Sequence, residues 1–144
     1  MGSQAVINKA AGEITNLHKV EALEDAAVRD LELLDDLPFV NHFSEGLYCR
    51  ELPIPAGVFL TGKVHKQDHL AMLIKGEIAI VNGDDTVHLK APVIIPSKAG
   101  VKRAILAITD SIFITVHATT LTDVEEIEKA VVEEPREHIR EALK

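Results

Sequence analysis

The segment from Gly62 to Gly76, GKVHKQDHLAMLIKG, sets two imidazoles, His65 and His69, in one short stretch with a glycine seven residues beyond the second. Neutral imidazole nitrogens suit zinc, iron, copper and nickel, so the pair is a candidate part of a mononuclear metal site. A spacing of four would align both rings on one helix face, but the flanking runs read as strands, which sets a helical metal motif aside. No serine-nucleophile motif, phosphate-binding glycine loop or paired-cysteine zinc signature competes. Of the other histidines, His88 reads as a solvent-facing strand residue and His18, His42 and His138 as surface residues of the flanking segments.

The chain that must position these residues has 144 of them, 47% apolar and only 3% aromatic, which predicts one compact domain with a Val, Ile, Leu and Ala core. The single cysteine, Cys49, has no partner for an intramolecular disulfide, which predicts a reducing, cytoplasmic setting. No apolar run reaches the roughly 20 residues that span a bilayer, and the N-terminus lacks the apolar block of a signal peptide, so neither membrane insertion nor export is expected. The net charge of −8 is carried by the ends: residues 1–46 hold nine acids and three bases, residues 120–144 eight and four, and residues 47–119 six and eight. Acidic ends around a near-neutral centre argue against binding to nucleic acid or anionic lipid, both of which need a basic face.

The ends read as helical arms. Val20, Leu23, Ala27, Leu31 and Leu34 recur at three- and four-residue intervals, with Glu21, Glu24, Asp25 and Asp30 in the gaps, Asn16 as a cap and a stop before Pro38. Thr122 and Glu125 fit a capping box ahead of Val124, Ile127 and Val131, Pro135 interrupts, and residues 137–143 resume a short helix. The centre differs: LYCREL, GVFLTGKVH, LAMLIKGEIAIV, TVHLKAPVIIP, RAILAI and SIFITVHAT are short β-branched runs separated by Gly, Pro and Asp, about eight strands in all. Residues 82–85, Asn-Gly-Asp-Asp, signal a hairpin. The predicted organisation is a flexible segment 1–15, an N-terminal arm 16–46, a closed barrel or two-sheet jelly roll 47–119 and a C-terminal arm 120–144, with the arms packing on the barrel or binding a partner subunit.

Over residues 47–119 the pattern resembles the cupins, whose first motif places two histidines one residue apart, a glutamate four positions after the second, and a glycine seven beyond that. His65 takes the second histidine position, His69 stands at the glutamate position, Gly76 is the closing glycine, and Lys63 occupies the place of the first histidine. The resemblance implies a mainly β, cupin-like double-stranded β-helix with helical arms. In the second motif Pro96-Ser97-Lys98-Ala99-Gly100 supplies the turn, but Lys102 and Arg103 follow where a metal histidine belongs. Neither binds a metal while protonated, so both become candidates for an anionic ligand, with surface charge as the competing role.

A third metal ligand must then come from elsewhere, and His117 in SIFITVHAT is the candidate. Strand parity leaves two arrangements: either Ile112, Ile114 and Val116 face the core and turn His117 away, or they pack on an arm while Phe113, Thr115 and His117 line the barrel. Tyr48 and Arg50 share one face of their strand and join Lys63, Lys102 and Arg103 as candidate ligand-binding residues. The motif order also resembles small single-domain cupins of tailed bacteriophages, which implies host cytoplasm or a virion as the setting. The expected function is binding of a divalent transition metal (zinc, iron, nickel or manganese) at His65, His69 and His117, or of a small anionic ligand, by a homo-oligomer. The alternatives are a metal-dependent enzyme of dioxygenase, isomerase or lyase type and a virion-associated assembly protein.

Overall fold

A computed structural model describes residues 17–33, 37–82 and 85–142. The proposed Asn16 cap, the apolar position Leu34, the terminal segment 1–15, Leu143 and the hairpin tip at 83–84 lie outside the described residues. The elements are α1 (Leu17–Asp30), β1 (Val40–Ser44), β2 (Leu47–Ile54), β3 (Phe59–Thr61), β4 (His69–Lys75), β5 (Glu77–Asn82), β6 (Asp85–Lys90), β7 (Val93–Ser97), β8 (Ala104–Ala107), β9 (Ser111–Ala118), α2 (Val124–Val131) and α3 (Glu137–Ala142).

The strands form two antiparallel sheets, β1-β2-β9-β4-β7 and β3-β8-β5-β6, packed face to face. Alternation along each strand sends one apolar set between the sheets, where Ile54, Leu73, Ile78, Ile95, Ile105 and Phe113 make up much of the core. β1 lies within the segment assigned from sequence to the N-terminal arm; it pairs with β2 at the sheet edge, Val40 opposite Glu51 through Ser44 opposite Leu47. The expected hairpin joins β5 to β6, with Asn82 opposite Asp85. Gly76 needs to be glycine: its φ is +87°, and a Cβ there would stand 2.4 Å from the Asp110 carbonyl oxygen and 2.9 Å from Ser111 Cα.

The arms pack on the sandwich. α1 lies over β5 and β8, where Ala79 and Ala104 are buried although they alternate with the core-facing set. Glu24, read from sequence as a solvent-side acid, is instead buried beside Val20, while Leu31 of the apolar stripe is exposed. The reversal has a clear cause, because Glu24 receives hydrogen bonds from Lys102 Nζ at 2.7 Å and Arg136 Nη2 at 3.0 Å, and from the Thr61 hydroxyl. Burial alone would raise the Glu24 carboxyl, but these three partners outweigh it and hold it below the usual range. One carboxylate thereby ties α1 to β3, to the segment before β8 and to the segment before α3. An apolar cleft of about 430 Å³ remains between α1 and β3, lined by Val28, Leu31, Phe59 and Leu60, and none of the three candidate histidines borders it.

α2 is capped one residue later than the sequence suggested: Asp123, not Thr122, accepts from the Glu125 amide at 3.1 Å. Its buried residues Ile127 and Val131 cover Tyr48 at one end of the sandwich. Past α2, Pro135 separates the two C-terminal helices, and Ile139 of α3 is buried.

Because Lys102 is buried with its side chain only 6% exposed, Glu24→Ala strands a cation rather than merely deleting a contact. Loss of about 3 kcal/mol or more in denaturant unfolding is expected. The Glu24 contribution is present above the unfolded carboxyl pKa and is lost as pH falls through the depressed folded value. Glu24→Ala should therefore flatten the acid limb of the stability curve, and an unchanged limb would remove Glu24 from the account.

Candidate metal centre

β9 pairs with β2 on one side and β4 on the other, which aligns residues in ranks across the sheet. Tyr48 stands opposite His117, Leu70 opposite Val116, and His69 opposite Ser97. Tyr48, His117, His69 and Ser97 therefore form one rank across β2, β9, β4 and β7, and all four are buried. The rank beneath is mixed, Arg50 and Thr115 with the buried Ala71 and Ile95, and the next is apolar, Leu52, Phe113, Leu73 and Val93. Of the two parities open from sequence, the inward one for Phe113, Thr115 and His117 is realised. Ile112, Ile114 and Val116 take the opposite face of the five-stranded sheet, where Ile114 is buried and Ile112 and Val116 are half-buried.

His65 reaches this rank from outside the strands. Its backbone forms an isolated bridge with Val132, and the flanking bonds are Lys66 N to Val131 O at 2.7 Å, Glu133 N to Val64 O at 2.8 Å and Gly100 N to His65 O at 2.8 Å. The chain just past α2 and the turn before β8 thus clamp the His65 backbone from two directions.

The three histidines meet: one nitrogen from each lies within 4.8 Å of the others. His65 Nδ1 and His117 Nε2 are 3.0 Å apart, and the rings stack with centroids 3.9 Å (His65 and His69), 4.8 Å (His69 and His117) and 5.1 Å (His65 and His117) apart. Burial pushes His65 down to about 3, helped by His69, His117, Arg103 and Arg50. Burial likewise pushes His117 down to about 4, with His69 and Arg50 contributing. His69 is lowered by burial and by Arg103, against the Gln67 carbonyl and Asp68, which favour its charged form. At neutral pH all three are uncharged, the state a metal requires.

The donor set fits a divalent transition metal. Nδ1 of His69 donates to the Gln67 carbonyl at 3.3 Å, which assigns the lone pair to Nε2, and that atom is buried without a partner. In the His65–His117 pair either ring can donate, and either choice leaves His117 Nδ1 buried and unsatisfied. Among the described residues five side-chain polar atoms are buried without a hydrogen bond, and four of them, Arg50 Nε, His69 Nε2, Arg103 Nε and His117 Nδ1, belong to this end of the sandwich. The three rings are stacked at interplanar angles of 22°, 11° and 14°, so ligation through their lone pairs would require them to turn about χ2.

The remaining candidates divide. Arg103 is partly buried, with its Nε sealed from solvent, donates from Nη2 to Ser97 Oγ at 2.9 Å and stands close enough to depress His65 and His69. Arg50 lies 3.8 Å over the Phe39 ring and 3.4 Å from Glu128 Oε1. Tyr48 is buried and donates to Asn41 Oδ1. Lys63 pairs at the rim with Glu128 at 3.6 Å. Lys102 is not brought to the histidines, since its ammonium is held by Glu24, and neither Lys102 nor Arg103 is surface charge. Sequence reasoning missed Ser97 and Glu128; the pairing of β4 with β7 and the docking of α2 bring them in, and neither is visible in local pattern.

No family model matches the sequence, and no curated protein matches it. Solved structures do resemble the fold. KdgF from Halomonas sp. aligns over 64% of this chain and 87% of its own at 10% identity, with a TM-score of 0.51. A cupin domain protein from Bordetella pertussis aligns over 61% and 98% at 16% identity and a TM-score of 0.49. An RmlC-like cupin from Desulfovibrio desulfuricans aligns over 62% and 90% at 21% identity and a TM-score of 0.47. Likeness at these identities is one of fold alone, and the fold is a cupin-like antiparallel β-sandwich with helical arms.

Acid titration tests the buried imidazoles. Their folded pKa values lie below the ordinary 6.5, so the stability of the metal-free protein is intact above about pH 6.5 and erodes as pH falls toward about 4 and then 3. His117→Gln, followed by circular dichroism with chelator present, should remove part of that erosion. The same pH profile in both proteins would place His117 in water.

Proposed function

We propose that this protein binds one divalent transition-metal ion through His65, His69 and His117 and presents it to a small ligand at the end of its sandwich. The observation that supports this best is the convergence of three uncharged, largely buried imidazoles from two distant stretches of the chain, with unsatisfied nitrogens among them. All-imidazole donors favour zinc, iron or nickel over magnesium or calcium, and three ligands leave coordination positions free. Bound there, the ion supplies Lewis acidity toward whatever occupies those positions. The protein itself contributes orientation: the Gln67 carbonyl fixes the His69 tautomer, the bridge to Val132 holds the His65 backbone, and Tyr48 with α2 backs His117. An enzyme of the same site is the second reading, favoured by those free positions, and substrate turnover separates it from a binder.

Elemental analysis of protein purified under metal-replete conditions should give about one equivalent of metal. His69→Ala and His117→Ala should lower affinity by more than the roughly 10- to 100-fold typical of an outer-shell partner. Metal content near zero in the wild type would refute the reading.

We further propose that a second copy covers the outer face of the five-stranded sheet, as expected of a homo-oligomer. Leu70, Ile74 and Ile94 are 44%, 48% and 59% exposed there, alongside Met72, Pro96, Val116 and Cys49, and the acid on the β2 side of this face, Glu51, is paired with His42. Ile94→Glu should lower the mass seen in sedimentation equilibrium while leaving metal content intact. A wild type that stays monomeric at every concentration would exclude this interface.

A further inference from the structure

Positive charge stands beside the histidines in excess of negative. The Arg103 guanidinium makes one hydrogen bond, to Ser97 Oγ, has no ion pair among the described residues, and keeps an Nε sealed from solvent without an acceptor. Burial lowers its pKa to about 10, the mark of a guanidinium held without a counter-ion. Arg50 Nε is also buried and unpartnered, and the nearest acid, Glu128, is shared between Arg50 and Lys63 at the rim. Arg50, Lys63 and Arg103 thus stand near the histidines with Glu128 for two of them, while Asp68, the acid next to His69, is already paired with Lys98. A divalent ion would add two more positive charges, and an uncompensated buried cation is among the costliest arrangements in a protein.

We propose that the site takes a small organic carboxylate, which occupies a free position on the metal and accepts hydrogen bonds from the Arg103 guanidinium. The metal half rests on the reading under Proposed function; the Arg103 half stands on the unpaired guanidinium itself. Chemistry favours a carboxylate over other anions. With one Nη2 hydrogen committed to Ser97, the planar guanidinium keeps other N–H donors, the unpartnered Nε–H among them, and such donors suit the two oxygens of a carboxylate. Ser97 faces His69 in register, so the guanidinium is tied to the strand beside a metal ligand. The rank beneath holds Ala71 and Ile95, both buried, with Thr115 and Arg50 in register beside them, so a second guanidinium stands one rank away.

The test titrates Co²⁺-loaded wild-type protein with oxalate, malonate and succinate, and in parallel with neutral malonamide and with inorganic phosphate, by calorimetry and visible absorption. At least one dicarboxylate should bind and perturb the cobalt bands, with malonamide about 100-fold weaker or undetectable. Arg103→Gln should keep one equivalent of Co²⁺ yet lose about 10-fold or more in dicarboxylate affinity, and Arg103→Lys, which keeps the charge without the planar guanidinium, should fall between. Unchanged dicarboxylate affinity in Arg103→Gln, or phosphate bound more tightly than every carboxylate, would overturn the proposal. Cobalt stoichiometry is read separately: if the wild type takes up no Co²⁺, the metal reading fails. The same titration of metal-free protein then decides the Arg103 half, which dicarboxylate binding sensitive to Arg103→Gln supports and no binding overturns. If Arg103→Gln does not fold, the contrast between malonate and malonamide on the wild type, together with Arg103→Lys, decides it.

Discussion

The antiparallel pairing of β9 with both β2 and β4 is the constraint from which the rest of this molecule follows. Side chains alternate with a period of two, so once Phe113 enters the core, Thr115 and His117 must share its face. The register with β2 then sets Tyr48 and Arg50 beside them, and the register with β4 and β7 adds His69 and Ser97. A slip of one residue in β9 would send His117 outward and bring Val116 in, dissolving the rank. The bulge between Leu73 and Lys75 falls beyond the site, where β4 has already delivered His69 and Ala71, so it alters the far end of the pairing without disturbing the histidines.

What the sheets cannot supply, the arms do. His65 is not on a strand, and its position depends on bridging to the chain just past α2, which in turn is anchored by Ile127 and Val131 against Tyr48. The N-terminal arm contributes at a distance: Glu24 holds Lys102, the neighbour of Arg103, and Arg136, which leads into α3. One carboxylate therefore orders both arms and the strand entry next to the candidate site. Burying Glu24 is tolerable only because three donors converge on it, and their cost is shared in the same way.

Sequence made the site half legible. The cluster of short β-branched runs, the Asn-Gly hairpin signal and the arm periodicity are local patterns, and they correspond to sheets, to β5 and β6, and to the helices. His65 and His69 stand out because they are close in the chain. His117 needed a guess about parity, since an aliphatic set at Ile112, Ile114 and Val116 looks as core-like as Phe113 does; here the aliphatic set covers the outer face of the sheet. Lys102 and Arg103 are adjacent and identical in charge pattern, yet one turns to Glu24 and the other to Ser97, 78 and six residues away in the chain. Such divergence is a property of tertiary pairing, which no window of sequence contains. The Thr122 cap failed for a smaller reason: Asp123, one residue on, is the better acceptor for the Glu125 amide.

The presence of His69 where the resemblance leads one to expect a glutamate changes the electrostatics of the whole end of the sandwich. A carboxylate there would neutralise part of a divalent ion and would give Arg103 a natural ion-pair partner. An imidazole does neither. The three neutral rings can solvate a metal, but its full double charge, together with the unpaired Arg103 guanidinium, is left to be balanced from outside the protein. The substitution therefore shifts the demand for negative charge from the protein onto its ligand, and an anion becomes part of the completed site rather than a visitor to it.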